Sequence, residues 1–232
     1  MKINKLVFLF LLVLNGVFAQ EKPKDSLIKK TNQNKWALEI GTGMSVGTRP
    51  YTDGYFSSVN NQLFDQFRLN SFNLGVRYNY TYNIGLKMDL AFDRFTNNKN
   101  NRSLPFEVAQ FRTSIQAFYN LNTLIKKQNN ATRFNLLLHS GASISSLKPI
   151  KNDYNTRVSN GDYYGSFVIG ITPMLQITKK TALYLDLSSF SNYGQNLTWN
   201  GKNSKTSENS NGKMLCWNFG LSFALGNNKE SK

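Results

Sequence analysis

The sequence predicts an all-β protein, an eight-stranded antiparallel up-and-down β-barrel that spans a membrane. Three observations lead there. Large apolar residues recur at every second position in eight segments between residues 35 and 225. The connections between those segments are alternately short and long. An even strand count lets an antiparallel sheet close with both termini on one side.

The N-terminus comes first. Met1-Lys2-Ile3-Asn4-Lys5 is a short basic start, Leu6 to Leu14 is an unbroken apolar run, and Val17-Phe18-Ala19 supplies a small residue before Gln20. That is the three-part layout of a secretory signal peptide, expected over 1–19. The nine apolar residues are too few for a membrane-spanning helix, which needs ~20. Removing 19 residues from 232 leaves 213, with a charge of 26 minus 13, or +13, because Lys2 and Lys5 are lost. Residues 20–34 are polar and lack periodicity, so they read as a flexible lead-in to a barrel domain over 35–225, with 226–232 as a C-terminal tail.

The first strand sets Trp36, Leu38, Ile40, Met44 and Val46 against Ala37, Glu39, Gly41, Gly43 and Ser45. In the second, Phe72, Leu74, Val76, Tyr78, Tyr80 and Tyr82 alternate with Asn73, Gly75, Arg77, Asn79 and Thr81. The third pairs Ile84, Leu86, Met88, Leu90 and Phe92 with Gly85, Lys87, Asp89, Ala91 and Asp93. A fourth runs from Ala109 to Leu121 with Gln110, Arg112, Ser114 and Gln116 on its polar phase, and a fifth from Arg133 to Ile144 with Arg133, Asn135, His139, Gly141 and Ser143 there. The sixth covers Phe167 to Ile177 and holds Pro173 on its apolar phase, where a bulge or local break is expected. The seventh is short: Leu183, Leu185 and Leu187 against Tyr184, Asp186 and Ser188. The last, Leu215 to Leu225, alternates without a fault. A helix would scatter these side chains around its whole circumference.

Tight turns are expected around Asn83 and at Thr178-Lys179-Lys180-Thr181, and a moderate link at 122–132. The other four connections, 48–70, 96–106, 147–163 and 190–213, are rich in Asn, Ser, Lys, Gly and Tyr. Short turns on one rim and long loops on the other describe a bacterial outer-membrane barrel.

Alternation alone does not say which face looks outward. In a lipocalin-like barrel the apolar face points in, and the chain would be a periplasmic ligand carrier. Three features favour lipid outside. The polar face is crowded with glycine, as a narrow packed interior requires; it carries charges of both signs, which could pair with one another; and aromatics (Trp36, Tyr82, Tyr119, Phe167, Trp217) stand near strand ends on the apolar face.

Residues 35–225 resemble the small eight-stranded outer-membrane β-barrels, including the Bacteroidetes-type barrel domains grouped as PorT-like. The most specific match is Asn218-Phe219-Gly220-Leu221-Ser222-Phe223-Ala224-Leu225. It is similar to the assembly signal of such barrels: a polar residue (Asn218), glycine two later (Gly220), and hydrophobic residues at the sixth and eighth positions (Phe223, Leu225). The resemblance implies that the barrel-assembly machinery reads this signal, and it suggests an accessory role in protein secretion. The family often ends on a terminal aromatic residue, whereas here Gly226 to Lys232 follow.

On this reading the interior is filled by side chains, among them Glu39, Arg77, Lys87, Asp89, Asp93, Arg112, Arg133, His139 and Asp186. A turn centred on Asn83 would set Arg77 opposite Asp89 and Asn79 opposite Lys87. The cluster is expected to fill and pin the barrel; an ion or proton path is the functional alternative.

Chemistry has little to build on. One cysteine and one histidine exclude a disulfide framework and a multi-His or Cys-clustered metal site within the chain, and no cofactor is expected. Ser140 or Ser143, His139 and Asp186 supply the residue types of a hydrolytic triad. However, adjacent strand residues point to opposite faces, and neither an H-E-x-x-H nor a strand-to-helix G-x-S-x-G elbow is expected. A lipid A-modifying enzyme therefore stands behind a non-enzymatic structural or interaction role. The basic surplus, 28 Lys+Arg against 13 Asp+Glu, is spread over both rims. Secretion removes the chain from nucleic acid, so the expected partners are outer-membrane lipids, lipopolysaccharide, and a protein docking on the loops.

Overall fold

A computed structural model describes residues 35–49, 69–81, 83–96, 106–122, 133–152, 161–201 and 211–226. The signal peptide expected over 1–19, the 20–34 segment, Tyr82 and residues 227–232 lie outside them. Eight strands follow in order: β1 (Trp36–Arg49), β2 (Ser71–Asn79), β3 (Ile84–Thr96), β4 (Phe106–Asn120), β5 (Phe134–Asn152), β6 (Asp162–Gln176), β7 (Thr181–Tyr193) and β8 (Lys213–Leu225). Each pairs antiparallel with the next, and β8 closes on β1 from Trp36↔Leu225 to Arg49↔Lys213.

The period-two pattern becomes an inside and an outside. On β3 every even residue from Ile84 to Thr96 is exposed and every odd one from Gly85 to Phe95 is buried. Leu90 is 42% exposed while Asp93 is fully buried. An arrangement with leucines outside and aspartates inside suits hydrocarbon and repels water. The barrel is a transmembrane barrel, not its lipocalin-like inverse. Outward apolar side chains run from Trp36 to Val46 on β1 and from Leu215 to Leu225 on β8. At ~3.3 Å per residue and ~40° of tilt, such runs make a band ~25 Å tall, the height of a bilayer core. Thr42 is the one hydroxyl on that stretch of β1, and it donates to Ser71 O at 2.9 Å. Trp36, tilted against the Tyr78 ring at 4.7 Å, belongs to the turn-side rim together with the exposed Tyr80. Trp217 lies further in than a rim residue, paired with Met44 and Leu187. Leu90→Arg is expected to cost about 2–4 kcal/mol in refolding into bilayers, and Tyr163→Arg at the loop-side rim about 0–1 kcal/mol; urea titration in vesicles measures both.

Two turns use one device. Thr81 Oγ1 accepts the N–H groups of Asn83 and Ile84, and Thr178 Oγ1 those of Lys180 and Thr181. A threonine hydroxyl thus replaces the missing backbone acceptor at the bend. Because the first turn begins at Thr81, β2 stops at Asn79. The turn is centred one residue earlier than Asn83, so Arg77 faces Lys87, Asn79 faces Gly85, and Asp89 faces Gly75. The expected Arg77–Asp89 and Asn79–Lys87 pairings are thereby corrected.

Pro173 breaks one ladder without shifting it. Pairing with β7 lapses between Ile171↔Leu187 and Met174↔Tyr184, and the register is the same on both sides. The ring has no N–H to give β7, while pairing with β5 continues through Leu136↔Pro173. The outcome is a local break and no bulge.

On the loop side the wall is taller than expected. β5 continues through Lys148-Pro149-Ile150 to Asn152, β4 already begins at Phe106, and β7 reaches Tyr193. Pro149 is accommodated beside a register shift at Glu107/Val108.

Candidate functional site

The inward residues assemble into a polar middle closed by apolar side chains at both ends. At its centre Lys87 of β3 reaches three carboxylates from three strands: Asp186 of β7 at 3.0 Å, Asp89 of β3 at 3.4 Å and Glu39 of β1 at 3.5 Å. Only a narrow barrel brings β1, β3 and β7 within one side chain's length. Glu39 also meets Arg77 Nε at 3.4 Å and accepts from Ser222 Oγ at 3.3 Å. Asp186 accepts from Thr172 at 3.1 Å and from Ser188. Gln116 gives its amide N–H to Asp89 at 2.8 Å, which turns its carbonyl toward His139 Nδ1 at 2.6 Å. The other imidazole nitrogen lies 3.5 Å from Asp186. His139 fits there because Gly170 leaves the space: a Cβ at 170 would come within 2.5 Å of its ring.

A second ion pair lies toward the loops. Arg112 of β4 sits 3.2 Å from the fully buried Asp93 and 4.2 Å over the ring of Phe190. Ser45 donates to Asp93 at 2.7 Å, and Cys216 Sγ lies 3.1 Å from the same hydroxyl and 3.5 Å from Arg112 Nη1.

Above this pair an apolar cluster fills the interior beside the buried Gln110, Ser145, Asn192 and Gln195. Phe95, Phe106, Val108, Leu147, Tyr164 and Met214 surround Leu197 and Trp199, which come from the β7–β8 connection and are buried. The Trp199 ring lies against Phe95 at 4.9 Å and over Gly47, where a Cβ would sit 2.3 Å from the indole. Asp162 holds this segment in place by accepting from the N–H groups of Asn196 at 2.6 Å and Leu197 at 2.8 Å. At the turn-side end Phe118, Leu137, Met174 and Tyr184 form a second apolar cluster, with Arg77 5.8 Å above the Phe118 ring.

Of the nine residues expected inside, Glu39, Arg77, Lys87, Asp89, Asp93, Arg112, His139 and Asp186 are inside. Arg133 is not. It precedes β5 at a bend and is exposed, because the strand ends before its phase carries it into the lumen. Arg133→Ala is therefore expected to change stability by no more than about 0.5 kcal/mol, measured by urea unfolding in vesicles. The assembly-signal residues keep their phases: Asn218 is buried inward, while Phe223 and Leu225 are exposed outward. Gly220 lies inward between them, against the Ile40 backbone.

The triad components do not meet. Ser140 is exposed on the outer face, and Ser143 is four residues along the same strand from His139, a span of ~13 Å. The letters G-x-S-x-G do occur, at Gly43-Met44-Ser45-Val46-Gly47. They lie mid-strand in β1, with Ser45 buried on Asp93, and are not a strand-to-helix elbow. Among the loop-side cations, Lys148 and Lys213 are exposed, and Arg94 pairs outward with Glu107 at 2.8 Å. On the turn rim Lys179 and Lys180 are exposed. Arg68, Lys99, Arg102, Lys126, Lys127, Arg157, Lys202 and Lys205 lie outside the described residues, as do the side chains of Arg49 and Lys151.

No protein-family model and no curated protein sequence matches the chain. Solved structures of similar form include outer membrane protein AlkL (10% identity, TM-score 0.48, covering 92% of this chain and 100% of that one). Neisserial surface protein A is 12% identical, with TM-score 0.44, covering 82% of this chain and 97% of that one. The attachment invasion locus protein Ail of Yersinia pestis is 14% identical, with TM-score 0.42, covering 82% and 95% respectively.

Proposed function

We propose that this chain is a bacterial outer-membrane barrel that conducts nothing, catalyses nothing, and works as a structural or interaction protein through its long loops. The observation that carries this reading is the closure of the interior at both ends. Leu197 and Trp199 fill the loop-side mouth, and Phe118, Leu137, Met174 and Tyr184 fill the turn side. What a partner meets is therefore the loop face and the taller wall beneath it. The exposed Lys148 and Lys213 stand on that side, where each cation near an anionic headgroup surface is worth ~1 kcal/mol. Lipopolysaccharide phosphates are their natural counterpart. Assembly would run through the barrel-assembly machinery reading Asn218, Gly220, Phe223 and Leu225.

Planar-bilayer recording of the folded protein tests the closure. The expected trace stays at the lipid baseline; resolved, reproducible channel steps would replace this reading with one of passage. An accessory role in protein secretion, suggested by the PorT-like resemblance, is the finer alternative. Co-purification of the intact membrane protein with a stoichiometric secretion partner would favour it over a solitary structural role.

A further inference from the structure

Between the Lys87 cluster and the Arg112–Asp93 pair lies a cavity of about 20 Å³ lined by Asn73, Asp89, Asn218, Lys87, Arg112 and Asp186. That is room for one water-sized occupant. Two acceptors on its wall are unmatched: Asn73 Oδ1 and Asn218 Oδ1 are buried without a hydrogen-bond donor among the described residues, on side chains only 4% and 5% exposed. A third, Asp89 Oδ1, meets only the Lys87 ammonium, at 3.4 Å.

The charge around this cavity does not cancel. The carboxylates of the two clusters that border it are Glu39, Asp89, Asp93 and Asp186, against three cations, Arg77, Lys87 and Arg112, so with His139 neutral these groups carry 3 − 4 = −1; the fifth buried carboxylate, Asp162, is held apart from them by the N–H groups of Asn196 and Leu197. An uncompensated charge inside a wall facing lipid is costly. A water molecule offers two hydrogens, enough for the two amide oxygens, and leaves the charge. A divalent ion would overshoot to +1. One monovalent cation answers both the acceptors and the charge.

We propose that the cavity binds a single dehydrated alkali cation, of the sodium or potassium class, between the amide oxygens of Asn73 and Asn218 and the carboxylate of Asp89. Lys87 and Arg112 border the site: Lys87 lies nearest Asp186, at 3.0 Å, and shares Asp89 Oδ1 at 3.4 Å, while Arg112 pairs with Asp93 at 3.2 Å. The inference concerns the enclosed middle of the barrel and does not depend on what the loops bind.

The test uses the intact folded protein in detergent. Its heat-modification temperature is followed on gels in sodium, potassium or choline chloride at constant ionic strength. The expected result is a rise of about 3–6 °C per tenfold alkali cation beyond saturation, with none for choline. Asp89→Asn, which removes the surplus charge, abolishes the alkali dependence. Independently of whether that variant folds, crystals soaked in rubidium chloride show an anomalous peak between Asn73 and Asn218. Equal midpoints in sodium and choline, or no peak at that place, overturn the proposal. So does a stability that follows acidification alone, which would assign the balancing charge to His139 between Gln116 and Asp186.

Discussion

Lys87→Met is expected to destabilise the folded barrel by about 3–5 kcal/mol, the range for removing one partner of a buried ion cluster. The methionine fits the volume, so the loss is electrostatic. Glu39, Asp89 and Asp186 all lean on one ammonium at 3.0–3.5 Å, and without it only Glu39 keeps a guanidinium, that of Arg77. Urea unfolding of the protein refolded into vesicles gives the number. The double variant Lys87→Met/Asp186→Asn should recover part of the loss, because the second change removes a carboxylate the first has orphaned. A loss below about 1 kcal/mol for the single variant would mean that solvent, not Lys87, neutralises these carboxylates.

Trp199→Ala should cost a similar amount, about 3–5 kcal/mol, for a different reason. The indole is fully buried, tilted against Phe95 and seated on Gly47. Its removal leaves an apolar hole at the loop-side mouth that Leu197 and Val108 are too small to fill. Gly47→Val attacks the same contact from the wall, since its Cβ falls 2.3 Å from the ring, and it should lower the heat-modification temperature in the same direction. Neither variant should conduct ions, because the cluster of Phe118, Leu137, Met174 and Tyr184 still closes the other end. Wild-type stability in both variants would show that residues 195–201 rest on the barrel without supporting it.

The strands were legible because a half-buried strand in a two-faced wall must alternate, and eight segments did so without help from context. Which face was wet followed from glycine and charge gathering on one phase. The limits of that legibility are physical. Period two gives a side but not a height, so it does not mark the inward Phe95, Phe118, Tyr164 and Phe190 as the closures of the two ends. Arg133 has the inward phase but sits at the bend before β5, at the open rim, where its side chain is exposed. The stretch Ser145 to Asn152, with Pro149 and two lysines, has loop composition. It is strand because β4 and a register shift beside Pro149 hold it there. Trp199 sits in a connection without period, and its partner is a glycine that offers no side chain to match. The Lys87 cluster depended on a register that the Thr81 turn sets one residue earlier than Asn83 suggests.

The most direct measurement is a nitroxide scan of β3, one label at a time from Ile84 to Thr96, in the Cys216→Ser background and in reconstituted bilayers. Collision with dissolved oxygen, which concentrates in acyl chains, should peak at 84, 86, 88, 90 and 92 and fall at the odd positions between them. Oxygen contact that is high at 85, 87, 89 and 91 and low at the even sites would mean the sheet is closed the other way round, with its charges toward the surroundings and its leucines within.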